Sequence, residues 1–188
     1  MHDRLLDDRR IALEEAFFRK ESARLRERMR AEREREAARI ALSGEVGLAD
    51  RELLDRLVEL GIRADTHQAL ELAPLAMVAW ADGSLDARER EAVFRGAEAN
   101  GIARGSAAYE LLAMWTAQRP PPELRDAWCA YIAALGKELS APQRRALEER
   151  ILGRARAVAE AAGGFLGFAS VSEPEAALLA ELTSAFGD

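Results

Sequence analysis

The stretch LAMVAWADGSLDAREREAVFRGAEANG, Leu75–Gly101, joins two helices across a chemically specified corner. Leu75 to Trp80 is apolar on every face, and Ala81-Asp82-Gly83 supplies the residues of a turn. Asp86 and Glu89 then stand in a D-x-x-E box. The Asp86 carboxylate can take a first-turn backbone N–H, and Glu89 can reach back to the Asp86 amide. Gly101 sits where a glycine ends a helix in the left-handed region. The corner therefore predicts helix, turn, helix, and it gathers three acids, Asp82, Asp86 and Glu89.

Working outward, the same start signals recur. Asp50 is placed to cap a helix from Arg51 to Leu60 that stops at Gly61. Asp65 with Gln68 predicts a second box, opening one helix from Thr66 to Trp80. A helix over about Ser106–Gln118 follows, and Pro120 to Pro122 introduce another over Glu123–Glu138, since proline is tolerated in a first turn. Ser140 with Gln143 and Ser172 with Glu175 open the last two, Ala141 to about Ala162 and Glu173 to about Phe186. β-Branched residues are few, and the breakers cluster between periodic runs. The expected fold is all-α: a compact bundle of about seven helices over residues 50–188, preceded by a long charged helix. Leu85-Asp86-x-x-Glu89 and Val171-Ser172-x-x-Glu175 share one order of residue types, which leaves both duplication and chance recurrence of a common box open.

That leading helix is predicted from about Leu5 to about Leu42, and residues 1–42 form an arm distinct from the body. Its apolar seam includes Ile11, Phe18 and Leu25 at seven-residue spacing and stops at Met29. From Ala31 to Arg39 the sequence AEREREAAR puts charge on nearly every face, as in a solvated helix or a spacer. Ion pairs between neighbouring turns contribute only about 0.2–0.5 kcal/mol each, so such a helix frays unless its aromatics dock on something. Phe17, Phe18 and Leu25 are the candidate partner-binding residues, and the implied partner is a protein.

A chain of 188 residues with 49% hydrophobic content can bury one sizeable core. Cys129 is the only cysteine, so no internal disulfide forms; with no export signal visible at the N-terminus, a cytoplasmic location is expected. No apolar run reaches a membrane-spanning length, the longest candidate being interrupted by Glu71 and Pro74, so any membrane association is indirect, through a partner. The net charge of −6 is unevenly placed. Residues 1–42 hold 12 Lys+Arg against 10 Asp+Glu, which leaves 15 basic and 23 acidic residues to the remainder. An acidic body argues against nucleic acid as a partner.

Chemistry-bearing clusters are sparse. Carboxylates from a turn suit a hard divalent cation, which makes Asp82, Asp86 and Glu89 a candidate metal set, although D-G-S-L-D-x-x-E lacks the alternating ligand spacing of a calcium loop. Capping and turn formation explain the same residues without a metal. His2 and His67 are the only histidines, too few for a multi-histidine centre or a histidine relay. Cys129 lies between Trp128 and Tyr131 on an apolar helix and reads as an inert thiol. Ala162–Ser170, AGGFLGFAS, lacks the lysine and hydroxyl residue of a phosphate loop, and reads as a connection inserting Phe165, Leu166 and Phe168 into the core. Trp80, Trp115 and Trp128 read as core anchors.

VAWADGSLDARERE, with the helix before it and AVFRGAEANGI after it, resembles the tellurite-resistance TerB-like domain, whose hallmark is an Ala-Asp-Gly turn followed by a polar cap and a helix-opening glutamate. The resemblance spans about Leu53–Phe186, with Val171-Ser172-Glu173-Pro174-Glu175 similar to the family's second cap-and-glutamate element. It implies a compact helical domain that acts as an interaction or scaffold module rather than an enzyme, in a stress or tellurite-resistance context. It also implies a metal held by acids at Asp82 and Glu89 together with Glu175, while Ser172 stands where a further carboxylate would help. A divalent-metal-binding stress protein is thus the alternative function. Asp7–Lys20, DDRRIALEEAFFRK, is similar to the opening of the alphaproteobacterial ATP-synthase inhibitor zeta subunit, which implies an ATPase regulator acting through the first helix as a further alternative.

Overall fold

A computed structural model describes the backbone of residues 2–162 and 171–187 and the side chains of 15, 17–160 and 171–187. Among these residues the protein is all-helical: α1 His2–Val46, α2 Arg51–Glu59, α3 Ala73–Ala79, α4 Ala87–Ala99, α5 Ala107–Ala117, α6 Pro122–Glu138, α7 Ala141–Ala162 and α8 Glu173–Ser184, with a 3-10 helix at His67–Glu71. The segment 163–170, with the predicted core insertion of Phe165, Leu166 and Phe168, lies outside the described residues.

The centre of the bundle is α3. All seven of its residues are buried, and α4, α5, α6, α7 and α8 all pack against it. A helix apolar on every side needs such an enclosure. Its neighbours each bring one apolar face, as in α7, where Ile151, Leu152, Ala155, Val158 and Ala159 turn inward; α2, packed on α1 and α6, does the same with Leu53, Leu54, Leu57 and Val58. Helix α4 meets α3 at a glycine. A methyl group on Gly96 would stand 2.7 Å from Leu75 Cδ2, so the absence of a side chain there sets how near the two helices lie.

The predicted caps at Asp50, Asp86 and Ser172 all accept first-turn amides, and so does Ser106 at the start of α5. The expected helix over Thr66–Trp80 is instead two pieces. Asp65 caps nothing; the Thr66 hydroxyl accepts the Arg63 N–H at 2.7 Å and donates to the Gly61 carbonyl at 3.1 Å. Pro74 explains the break, since it has no N–H to give the Leu70 carbonyl four residues earlier. That carbonyl accepts the indole N–H of fully buried Trp128 at 2.9 Å. Trp80 donates likewise to the Trp115 carbonyl at 2.8 Å, so two of the three tryptophans clamp helix ends with their polar atoms. Trp115 and Trp128 fill the core as expected, but Trp80, at the end of α3, is only partly buried and lies outside it.

The first helix also ends later than its sequence suggests. Gly44 lies inside it, and α1 runs to Val46 before Gly47 turns the chain at φ 68°. Leu42 is fully buried, and Ala38 and Val46 pack beside it against the core. Burial of that last stretch outweighs the helix-weakening effect of one glycine, about 1 kcal/mol. Ion pairs lock the same turns to α2, Arg35 with Glu59 at 3.3 Å and Arg39 with Asp55 at 3.3 Å.

Candidate functional site

Two places carry the residues singled out by the sequence. The first is the corner between α3 and α4. Trp80 closes α3, Gly83 turns the chain at φ 97°, and the Asp82 carboxylate accepts the Ser84 N–H at 2.9 Å and the Ser84 hydroxyl at 3.3 Å. Asp86 Oδ1 accepts the amides of Arg88 and Glu89 at 2.7 and 2.8 Å, and Glu89 Oε2 accepts the Asp86 amide at 2.7 Å. At α8 the same reciprocal box is formed by Ser172 and Glu175, with Glu175 Oε2 accepting the Ser172 amide at 2.7 Å.

Glu89 and Glu175 are each only 5% exposed. Burial pushes the Glu89 carboxyl above its ordinary value, the amide of Asp86 opposes this, and the charges of Asp86, Asp82 and Glu175 raise it further. Asp82 and Asp86 are exposed at the rim. The recurrence of cap and glutamate thus has a spatial counterpart in two inward-facing glutamates. For a cation the fit is poor. One oxygen of each glutamate is committed to a backbone amide, and among the described residues no three His, Cys, Asp or Glu side chains are grouped to hold a metal.

The other single residues have local roles. His67 Nδ1 lies 2.7 Å from the Ala64 carbonyl, which seats the ring on its own turn. Cys129 is half-buried, and burial pushes its thiol up, away from the reactive thiolate.

The second place is the outer face of α1. From Phe17 to Arg35 every residue is exposed. Of the six large apolar side chains standing in solvent among the described residues, Phe17, Phe18, Leu25, Met29 and Ile40 belong to α1, and only Met114 lies elsewhere. At about 100° per residue, Phe18, Leu25, Met29 and Ile40 fall within about 60° of arc along roughly 33 Å of helix. The side that buries Leu42 is about 130° away on the same projection. The body therefore leaves this stripe uncovered. Met29 and Ile40 join the predicted Phe18 and Leu25, while Phe17 sits to one side. Ile40 was legible as an eleven-residue step from Met29, a helical repeat concealed by ending the seam at Met29.

Compared with models of known protein families, with curated proteins and with solved structures, the chain matches none. No described helix is long and apolar enough to cross a membrane.

Proposed function

We propose that the protein is a non-enzymatic, TerB-like interaction module, with α2–α8 as a rigid scaffold and α1 as the arm that holds a protein partner. The observation that carries this reading is the stripe of Phe18, Leu25, Met29 and Ile40, 66%, 58%, 48% and 61% exposed, on a helix otherwise dominated by charge. A helix of this composition gains little from its own turns, and its apolar face is stabilised by burial against another surface. The cap-and-glutamate pattern at Asp86 and Glu89 supports the family likeness, and with it a stress or tellurite-resistance setting.

The test keeps the chain whole. Leu42 belongs to the core, so removing residues 1–42 would damage the scaffold together with the arm. Phe18→Asp with Leu25→Asp changes only exposed positions. Affinity purification from the native host should lose its specific partners with the double variant while the melting temperature holds. Partner recovery equal to that of the unaltered protein would reject the arm.

A further inference from the structure

We infer that the outer face of α1 pairs with an acidic amphipathic helix of another protein, an assignment that rests on the arm reading and supplies its partner's chemistry. The stripe has asymmetric edges. On the projection used above, Arg19, Arg26 and Arg33 line one edge at seven-residue spacing, while Glu21, Arg28 and Glu32 alternate along the other. Between Arg19 and Arg35 the helix holds eight Lys+Arg against four Glu, in a protein whose net charge is −6. Glutamates of α1 engage Arg24 and Arg30, at 3.0 and 2.7 Å, and Arg35 engages Glu59. Among the described residues, Arg19, Arg26 and Arg33 have no ion-pair partner.

Three occupants compete for this face. A membrane surface takes a broad apolar sector, whereas a stripe about 60° wide matches the narrow seam between two paired helices. A second copy of the chain is disfavoured in both orientations. Antiparallel pairing sets the Arg19–Arg26–Arg33 edge against itself, and parallel pairing brings Glu36, which lies in the stripe between Met29 and Ile40, against its own counterpart. A helix of another protein carrying Leu or Ile along its seam and Asp or Glu along the facing edge meets neither obstacle. Flanking charge of this kind chooses the partner while the apolar seam supplies the adhesion.

The experiment uses the full chain and two synthetic helical peptides of about four heptads, with Leu at the seam and either Glu or Lys at both flanks. By fluorescence anisotropy the Glu peptide should bind, weakening at least about tenfold as NaCl rises from about 0.05 to 0.3 M, while the Lys peptide stays unbound. The triple variant Arg19→Glu, Arg26→Glu, Arg33→Glu should reverse this preference, and Leu25→Asp should abolish binding, each with unchanged far-UV circular dichroism. Equal binding of both peptides, failure of the Glu peptide to bind, or a preference untouched by the triple variant would overturn the assignment. So would an α1-dependent dimer in light scattering, or Arg-dependent sedimentation with vesicles holding about 30% phosphatidylserine. If the Glu peptide fails while Phe18→Asp with Leu25→Asp still removes the purified partners, the partner's chemistry falls and the arm stands; partners retained by that double variant reject the arm itself.

Discussion

The helices α1 and α3 are stabilised in opposite ways. The 45 residues of α1 include a stretch from Phe17 to Arg35 that is exposed on all sides, and among the described residues only its last turns touch the bundle. The seven residues of α3 form scarcely two turns, preceded by a proline-broken segment, yet every one is buried. Seven isolated residues would not hold a helix in water, so α3 exists because five helices enclose it. The difference separates length from stability. The short helix organises the fold, and the long one projects from it.

The largest effect should come from opening the enclosure around α3. Leu75→Ala removes a fully buried side chain at the α3–α4 crossing and should lower unfolding free energy by about 2–5 kcal/mol in urea titrations. A loss under about 1 kcal/mol would mean that the core collapses around the cavity, and α3 would no longer be the keystone. The reverse change at the same contact is smaller. Gly96→Ala gains about 1 kcal/mol of helix propensity but drives a methyl to 2.7 Å from Leu75 Cδ2, and overpacking of that kind costs about 1–3 kcal/mol. A net loss near 1 kcal/mol is expected. Combining it with Leu75→Val should recover much of that loss, since the shorter side chain makes room; strict additivity of the two changes would show that the crossing is not what Gly96 protects.

At the α4 corner the effect is smaller again and depends on pH. Glu89→Ala deletes one side of the capping box and should cost about 1 kcal/mol. Glu89→Gln keeps an oxygen for the Asp86 amide and removes the charge. Because burial raises the Glu89 carboxyl above 4.5, the folded protein holds that proton more tightly than the unfolded chain. The associated stability is complete at and below the ordinary carboxylate range and is lost as pH rises through the higher folded value. The Gln variant escapes this loss, so its stability relative to the unaltered protein should climb as pH rises from the ordinary carboxylate range through the higher folded value, and then level off. Parallel stability–pH curves for the two proteins would remove the buried charge from the account.

These elements were not equally legible in the sequence. Capping boxes are local, so Asp86 with Glu89 and Ser172 with Glu175 could be read directly, and so could the all-helical class. The burial of Glu89 and Glu175 could not, because it depends on how each box is set against the rest of the bundle. Asp65 with Gln68 had the spelling of a box but not its outcome: Pro74, nine residues beyond Asp65, broke the helix, and Trp128 took the carbonyl that proline left unpaired. Gly44 misled in the other direction, since a glycine inside a helix is a weak stop signal when Leu42 beside it is buried. Local chemistry was readable, and long-range burial overrode it where the two disagreed.

The smallest effect on global stability is expected on α1, where it sharpens the contrast most. Leu25→Ala removes an exposed side chain and should shift unfolding by no more than about 0.5 kcal/mol, against several for Leu75→Ala. Amide hydrogen exchange should show the same division without any mutation. Amides between Phe17 and Arg33 have only turn-to-turn bonds and pairs such as Arg24 with Glu21 to slow their opening, so they should exchange with little protection. Amides of α3 should exchange only through global unfolding, because releasing any one of them requires moving the helices packed around it. The seam along Phe18, Leu25 and Met29 predicts what changes this: a bound helix covers those turns, and protection should rise there while α3 remains as it was. Strong protection of residues 17–33 in the unbound monomer would show that α1 holds itself together, and the need for a covering partner would disappear.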